Sequence, residues 1–205
     1  MRKILLLCGL LLALSLPAMA QDMPTIDVFA GYSYVRFNQN TPGIGDIHSN
    51  VNGGSGAAAF YPSKHFGIVA DFGGYKISSI SGTAVQAATG SSSNAVSGTL
   101  ISYLFGPRVR IGYEKVTPFA QVLFGGAHIG NITDSTGRIC GTPGCTLFSS
   151  ENAFALTAGG GVDVKVARHF SIRGQAEYLM TRFKDLNGVV ARQNNARISA
   201  GIVIH

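Results

Sequence analysis

His169-Phe170-Ser171 sets an imidazole and a hydroxyl two residues apart. Successive side chains of an extended strand point to opposite faces, so His169 and Ser171 would share one face, and Glu177 would join them. A base, a hydroxyl and a carboxylate are the residue types of a base-activated serine nucleophile. Type alone makes no site, because nucleophile, base and orienting group must also meet in space. The other histidines offer less, since His48, His65 and His128 fall at loops or strand ends without the spacing of metal ligands. Gly53-Gly54 and Gly159-Gly160-Gly161 lack the strand-turn-helix setting and the lysine of a phosphate loop. They read instead as bends or as room inside a packed structure. No catalytic residue, metal site or cofactor is expected.

The elements around these residues start with an export signal. Met1-Arg2-Lys3 is basic, Ile4 to Leu16 is an apolar core, and Ala18-Met19-Ala20 is a small-residue cleavage site before Gln21. Residues 1–20 are therefore read as a cleaved signal peptide and residues 21–205 as one domain. Removing Arg2 and Lys3 lowers the 16 basic residues to 14, against 10 acidic ones. The basic residues are scattered rather than clustered, which excludes nucleic acid as a partner. Cys8 leaves with the signal. Cys140 and Cys145 remain, in Cys-Gly-Thr-Pro-Gly-Cys. An exported chain meets an oxidising compartment, and a Pro-Gly turn can bring two cysteines within bridging distance, so a loop disulfide is expected.

Composition is unusual for a water-soluble domain: 46% hydrophobic, 27 glycines and only 13% charged residues, where about 25% charged is ordinary. Beyond the signal, no apolar run approaches the roughly 20 residues of a membrane-spanning helix. Alternation dominates instead. It predicts eight strands, near 26–37, 50–61, 66–77, 98–111, 116–128, 153–165, 169–182 and 195–204. Long connections (38–49, 78–97, 129–152, 183–194) alternate strictly with tight ones (62–65, 112–115, 166–168). That rhythm is expected of a transmembrane barrel with short periplasmic turns and longer outer loops. The uncharged, Ser- and Gly-rich 78–97 connection reads as an exposed, mobile loop.

The alternation also sorts chemistry by face. Phe66, Ile68, Ala70 and Phe72 share one face, while Gly67, Val69, Asp71 and Gly73 share the other. Likewise Phe170, Ile172, Ala176, Tyr178 and Met180 oppose Ser171, Arg173, Gln175 and Glu177. Ile101, Tyr103, Phe105, Val109 and Ile111 oppose Ser102, Arg108 and Arg110. Phe154, Leu156, Val162 and Val164 oppose Thr157, Asp163 and Lys165. Ionisable residues thus gather on one face and bulky apolar residues on the other, which suits lipid outside and a polar interior. Buried charges need partners. The interior is therefore expected to hold a network of Asp27, Asp71, Asp163 and Glu177 with Arg108, Arg110, Lys165, Arg173 and Arg197. The expected fold is all-β, an eight-stranded antiparallel up-and-down transmembrane β-barrel, and closing it satisfies every strand edge.

Five segments carry a family likeness: Ala58-Ala59-Phe60-Tyr61-Pro62, Val69-Ala70-Asp71-Phe72-Gly73-Gly74-Tyr75, Tyr103-Leu104-Phe105-Gly106-Pro107-Arg108, Pro118-Phe119-Ala120 and Asn195 to Ile204. Through them the chain resembles the small bacterial outer-membrane β-barrels of the OmpA and OmpX type. The resemblance implies location in the bacterial outer membrane, contact with its lipids, insertion by the barrel-assembly machinery, and a structural or surface-interaction role. It names no surface partner. Such barrels usually finish on an aromatic residue, whereas this chain finishes on His205, which implies weaker recognition for insertion. The His169–Ser171 pair resembles that of lipid A deacylase barrels, but those sites face the cell surface. Here the pair follows a periplasmic turn and faces inward, so no enzyme is expected. Two other readings stand beside the leading one: a narrow channel or conduit for small hydrophobic molecules, and a soluble lipocalin-like binder with its apolar face turned inward.

Overall fold

β-Branched and aromatic residues in period-2 order favour a pleated backbone, and this chain forms little else. A computed structural model describes residues 25–41, 45–112, 115–183 and 193–205. The signal peptide expected at 1–20 lies outside the described residues, as do 42–44, 113–114 and most of the 183–194 connection. The elements run β1 (Thr25–Thr41), β2 (Gly45–Tyr61), β3 (Phe66–Ser81), α1 (Thr83–Thr89), β4 (Ser93–Arg110) and β5 (Val116–Ile129). Then follow β6 (Ile132–Asp134), β7 (Thr146–Phe148), β8 (Glu151–Ala167), β9 (Phe170–Thr181) and β10 (Gln193–Ile204).

Each long strand pairs antiparallel with the next, and β10 returns to β1, with Val28 opposite Ile204 and Arg36 opposite Ala196. Among the described residues, eight strands therefore close into a barrel. The short β6 pairs with the outer end of β4 at Val96 and Ser97, and β7 pairs with β6.

Several strands run further outward than alternation alone predicts: β1 to Thr41, β2 from Gly45, β3 to Ser81, β4 from Ser93 and β8 from Glu151. The extra length has a physical reason. On β3 and β4 apolar side chains recur beyond the expected ends, where Ile80 and Val96 are buried.

The 78–97 connection is not the structureless loop expected. β3 and β4 take up its ends, and α1 lies between them. The Ala-rich segment Thr-Ala-Val-Gln-Ala-Ala-Thr favours a helix and buries Val85. Gly90, at φ 71°, ends it in the left-handed conformation and donates its N–H to the Gln86 carbonyl at 2.8 Å.

The faces divide as the sequence predicts. Ile68, Phe72, Ile101, Phe105, Phe124, Ile172, Ile198 and Ile202 stand on the outer surface. Val69, Asp71, Leu104, Arg173 and Arg197 point inward and are buried. No helix among the described residues is long and apolar enough to cross a membrane.

Candidate functional site

The inside of the barrel is filled from the periplasmic end upward by ionic groups, each delivered by the inward parity of its strand. At the rim, Asp27 of β1 accepts a hydrogen bond from Arg110 Nη1 of β4 at 3.0 Å. Arg110 also donates from Nε to the Lys64 carbonyl and lies 3.6 Å from the Tyr61 ring centroid. One layer up, Arg173 of β9 grips Asp163 of β8 through two bonds, Nε to Oδ1 at 2.6 Å and Nη2 to Oδ2 at 2.7 Å. Phe119 of β5 is flanked by two cations, Arg108 at 4.4 Å and Arg173 at 4.7 Å. Arg108 then donates to Gln121, and Gln121 donates to Glu177.

Arg197 of β10 closes the next layer. It donates from Nε to Glu177 at 2.6 Å and from Nη1 to Asp71 at 2.7 Å. Four carboxylates and four guanidiniums thus lie inside the wall: Arg110, Arg173 and Arg197 form ion pairs, while Arg108 donates to Gln121 and Tyr61 and stacks on Phe119. Equal and opposite charge is what makes such burial affordable, since an unpaired ion in low dielectric costs several kcal/mol. The glycines of β8 make room for it. A Cβ on Gly161 would lie 2.7 Å from Gln175 Cβ and 2.8 Å from Phe119 Cζ, and one on Gly159 would lie 2.6 Å from Glu177 Cα.

Of the residues expected in this network, Lys165 does not belong. It is exposed, beside the register shift between Lys165 and Ala167 near the end of β8. A flexible four-carbon stem at a rim is hydrated more cheaply than it is buried.

Ser171 is not paired with His169, which is exposed in the preceding turn. Its Oγ instead lies 2.8 Å from Nε2 of His205, whose Nδ1 lies 2.8 Å from Asp27 Oδ1. Sequence reading missed His205 in this role, although the alternation of β10 (Val203 inward, Ile204 outward) places it inward. The order serine, imidazole, carboxylate matches a hydrolytic triad. However, Ser171 is only 3% exposed, and Asp27 is already held by Arg110. The three residues tie β9, β10 and β1 together at the seam where the barrel closes.

Outside the wall, Cys140 and Cys145 form the expected disulfide, with Cα atoms 6.5 Å apart. Asp134, at the end of β6, organises the segment that carries it. Its carboxylate accepts from the backbone N–H groups of Thr136 and Ile139, the Thr136 hydroxyl and the Asn94 amide, at 2.8–3.0 Å. Burial by itself would raise its pKa, but these donors outweigh burial and hold the carboxyl well below the usual carboxylate range. Asp134-Ser135-Thr136-Gly137 was the available signal, a turn sequence with a side chain that can bond its own backbone two residues on.

The outer edge of the apolar band carries polar pairs. Tyr32 donates to Asn52 at 2.7 Å, Tyr34 to Asn50 at 2.8 Å and Tyr178 to Asn194 at 2.5 Å, all exposed. Amphipathic rings at this level mark a membrane–water boundary.

A family model described as outer membrane protein beta-barrel domain matches residues 6–202. The chain belongs to that family. As an outer-membrane barrel it sits in the lipid of the bacterial outer membrane, apolar face outward. It resembles the crystal structure of Neisserial surface protein A, with a TM-score of 0.56 at 13% identity over 89% of this chain and 99% of that one. It also resembles Ail, the attachment invasion locus protein of Yersinia pestis, with a TM-score of 0.53 at 16% identity over 90% of this chain and 100% of that one. A second Ail structure, in complex with the heparin analogue sucrose octasulfate, has a TM-score of 0.50 at 15% identity over 90% of this chain and 100% of that one. These likenesses concern the fold. No curated protein matches the chain.

Proposed function

We propose that the barrel is a closed wall element that holds an outer surface for interaction, and that it is neither a pore nor an enzyme. One observation carries this reading: Arg173–Asp163 and Asp71–Arg197–Glu177 lie in the interior as buried ion pairs, with Phe29 and Phe119 packed among them. An eight-stranded barrel has an interior just wide enough to be filled by side chains. In planar bilayers the folded protein is expected to give no conductance above baseline. Stepwise ohmic channels would overturn the closed reading in favour of a narrow conduit.

The surface partner in this reading is anionic. Arg36, Lys76, Arg138 and Arg182 are exposed on the outer side, and the comparison protein Ail was solved with a sulfated sugar. Salt-dependent retention on a heparin matrix checks it, with passage at low salt counting against it. Residues 1–20 serve as the export signal in this reading, residues 21–205 form the barrel, and the barrel-assembly machinery inserts it.

A further inference from the structure

The inward face changes character along the barrel axis. Beside and beyond the Arg197–Asp71 pair, where Val35 lies opposite Arg197 and Leu104 opposite Asp71, the side chains of Val35, Val51, Leu100 and Leu104 fill the interior and are at most 1% exposed. Beyond them, the outer ends of the strands enclose a cavity of about 100 Å³. Five isoleucines line it, Ile47, Ile77, Ile80, Ile129 and Ile132, together with Phe148 of β7. Ser49, Glu151 and Gln193 add polar groups to the lining.

We infer that this cavity binds a small apolar molecule, a single ring or a short alkyl chain with one hydrogen-bonding group, taken up from the outer side. Size selects the class. A cavity of about 150 Å³ lined by leucine, isoleucine and phenylalanine accepts benzene, so this somewhat smaller space takes one ring or a few methylenes. A protein partner is too large, since a stable interface needs about 800 Å² from each side. Chemistry agrees with size, because an apolar wall with a few polar groups is the composition of ligand pockets.

Access and closure point the same way. Among the described residues, Phe37, Ile47, Ile129 and Phe148 of the lining are only partly buried, which gives the cavity an exposed side. The floor is made of these valines and leucines together with the ion pairs they lie against. The site is a dead end. In that one respect it rests on the closed interior proposed above, while the binding itself does not.

The test is methyl NMR on folded, isoleucine-labelled protein in detergent micelles, titrated with toluene. The chain carries its own control: Ile26, Ile68, Ile101, Ile172, Ile198 and Ile202 face outward and report toluene dissolved in the micelle. Saturable shifts are expected at the five cavity isoleucines, with only gradual, non-saturating drift at the outward set. Ile129→Trp, which fills the cavity, is expected to abolish the saturable shifts while the unheated protein keeps its folded gel mobility. Ile80→Trp serves the same purpose if the first variant does not fold. Cavity methyls that stay still, that drift only in parallel with the outward set, or that saturate unchanged in a folded tryptophan variant would overturn the inference. Bilayer conductance alongside saturable shifts would reject the closed floor and leave the binding site standing.

Discussion

Asp163 and Arg173 sit directly opposite each other on β8 and β9, and their side chains close a two-bonded fork at 2.6 and 2.7 Å inside the barrel. The same register that pairs their backbones aims both side chains inward. Strand pairing and charge pairing are here a single event.

Removing one member of that fork strands the other in low dielectric. Asp163→Ala is expected to destabilise the folded barrel by about 3–5 kcal/mol. Replacing both residues by apolar ones of similar volume should cost far less. Urea unfolding in lipid vesicles measures the difference, and equal losses for the single and double variants would show that the pair is not desolvated.

On the lipid face the expectation is reversed in chemistry. Ile101→Arg or Phe105→Arg is expected to lose about 2–4 kcal/mol when the position lies near the bilayer midplane. Both residues are exposed on the outer wall, with Phe105 in an edge-to-face contact with Phe72 at 5.8 Å. The same unfolding measurement checks this, and a neutral effect would argue that the position faces water.

Much of this arrangement is legible in the sequence, because period 2 fixes a residue's face without knowledge of its neighbours. Asp71 among Val69 and Gly73 tells which side is interior. What period 2 cannot give is the angular position around the cylinder. Arg197 meets Asp71 across 126 residues of chain, and that meeting depends on barrel closure rather than on any local signal. Lys165 has the inward parity of Asp163, yet it lies at the rim, where water competes successfully for its charge. Helix α1 was hidden because an uncharged Ala, Ser and Gly sequence is compatible with a loop until Val85 finds an apolar surface to cover. His205 reaches Ser171 from the neighbouring strand, a partnership between strands that spacing within one strand does not reveal.

The outer loop has a pH window set by Asp134. Its folded-state pKa is depressed by hydrogen-bond donors, so the stability it contributes is fully present above the unfolded value of about 3.9. That stability drains away as pH falls below it toward the folded value. Amide exchange at Thr136 and Ile139 should therefore stay slow from neutral pH to about pH 4 and accelerate below it, once corrected for intrinsic rates. Asp134→Asn should show fast exchange at neutral pH. An exchange profile that is flat down to strongly acidic pH in the unaltered protein would contradict the assignment.

Ser171 offers a chemical check. Its hydroxyl faces inward beneath His205, so Ser171→Ala is expected to leave lipid A acylation in host membranes unchanged, and a serine-directed fluorophosphonate should not label the folded protein. Labelling that disappears in the Ser171→Ala variant would make the seam cluster a catalytic site.

The orientation of the wall can be read with a single reporter, because the chain contains no tryptophan. Phe105→Trp and Leu104→Trp differ by one residue and so by one face: Phe105 is 44% exposed and Leu104 is 0% exposed. In vesicles of lipids brominated along their acyl chains, strong quenching is expected for Phe105→Trp and little for Leu104→Trp. Equal quenching of the two, or the reverse order, would contradict a barrel that turns its apolar face to lipid and its charges inward.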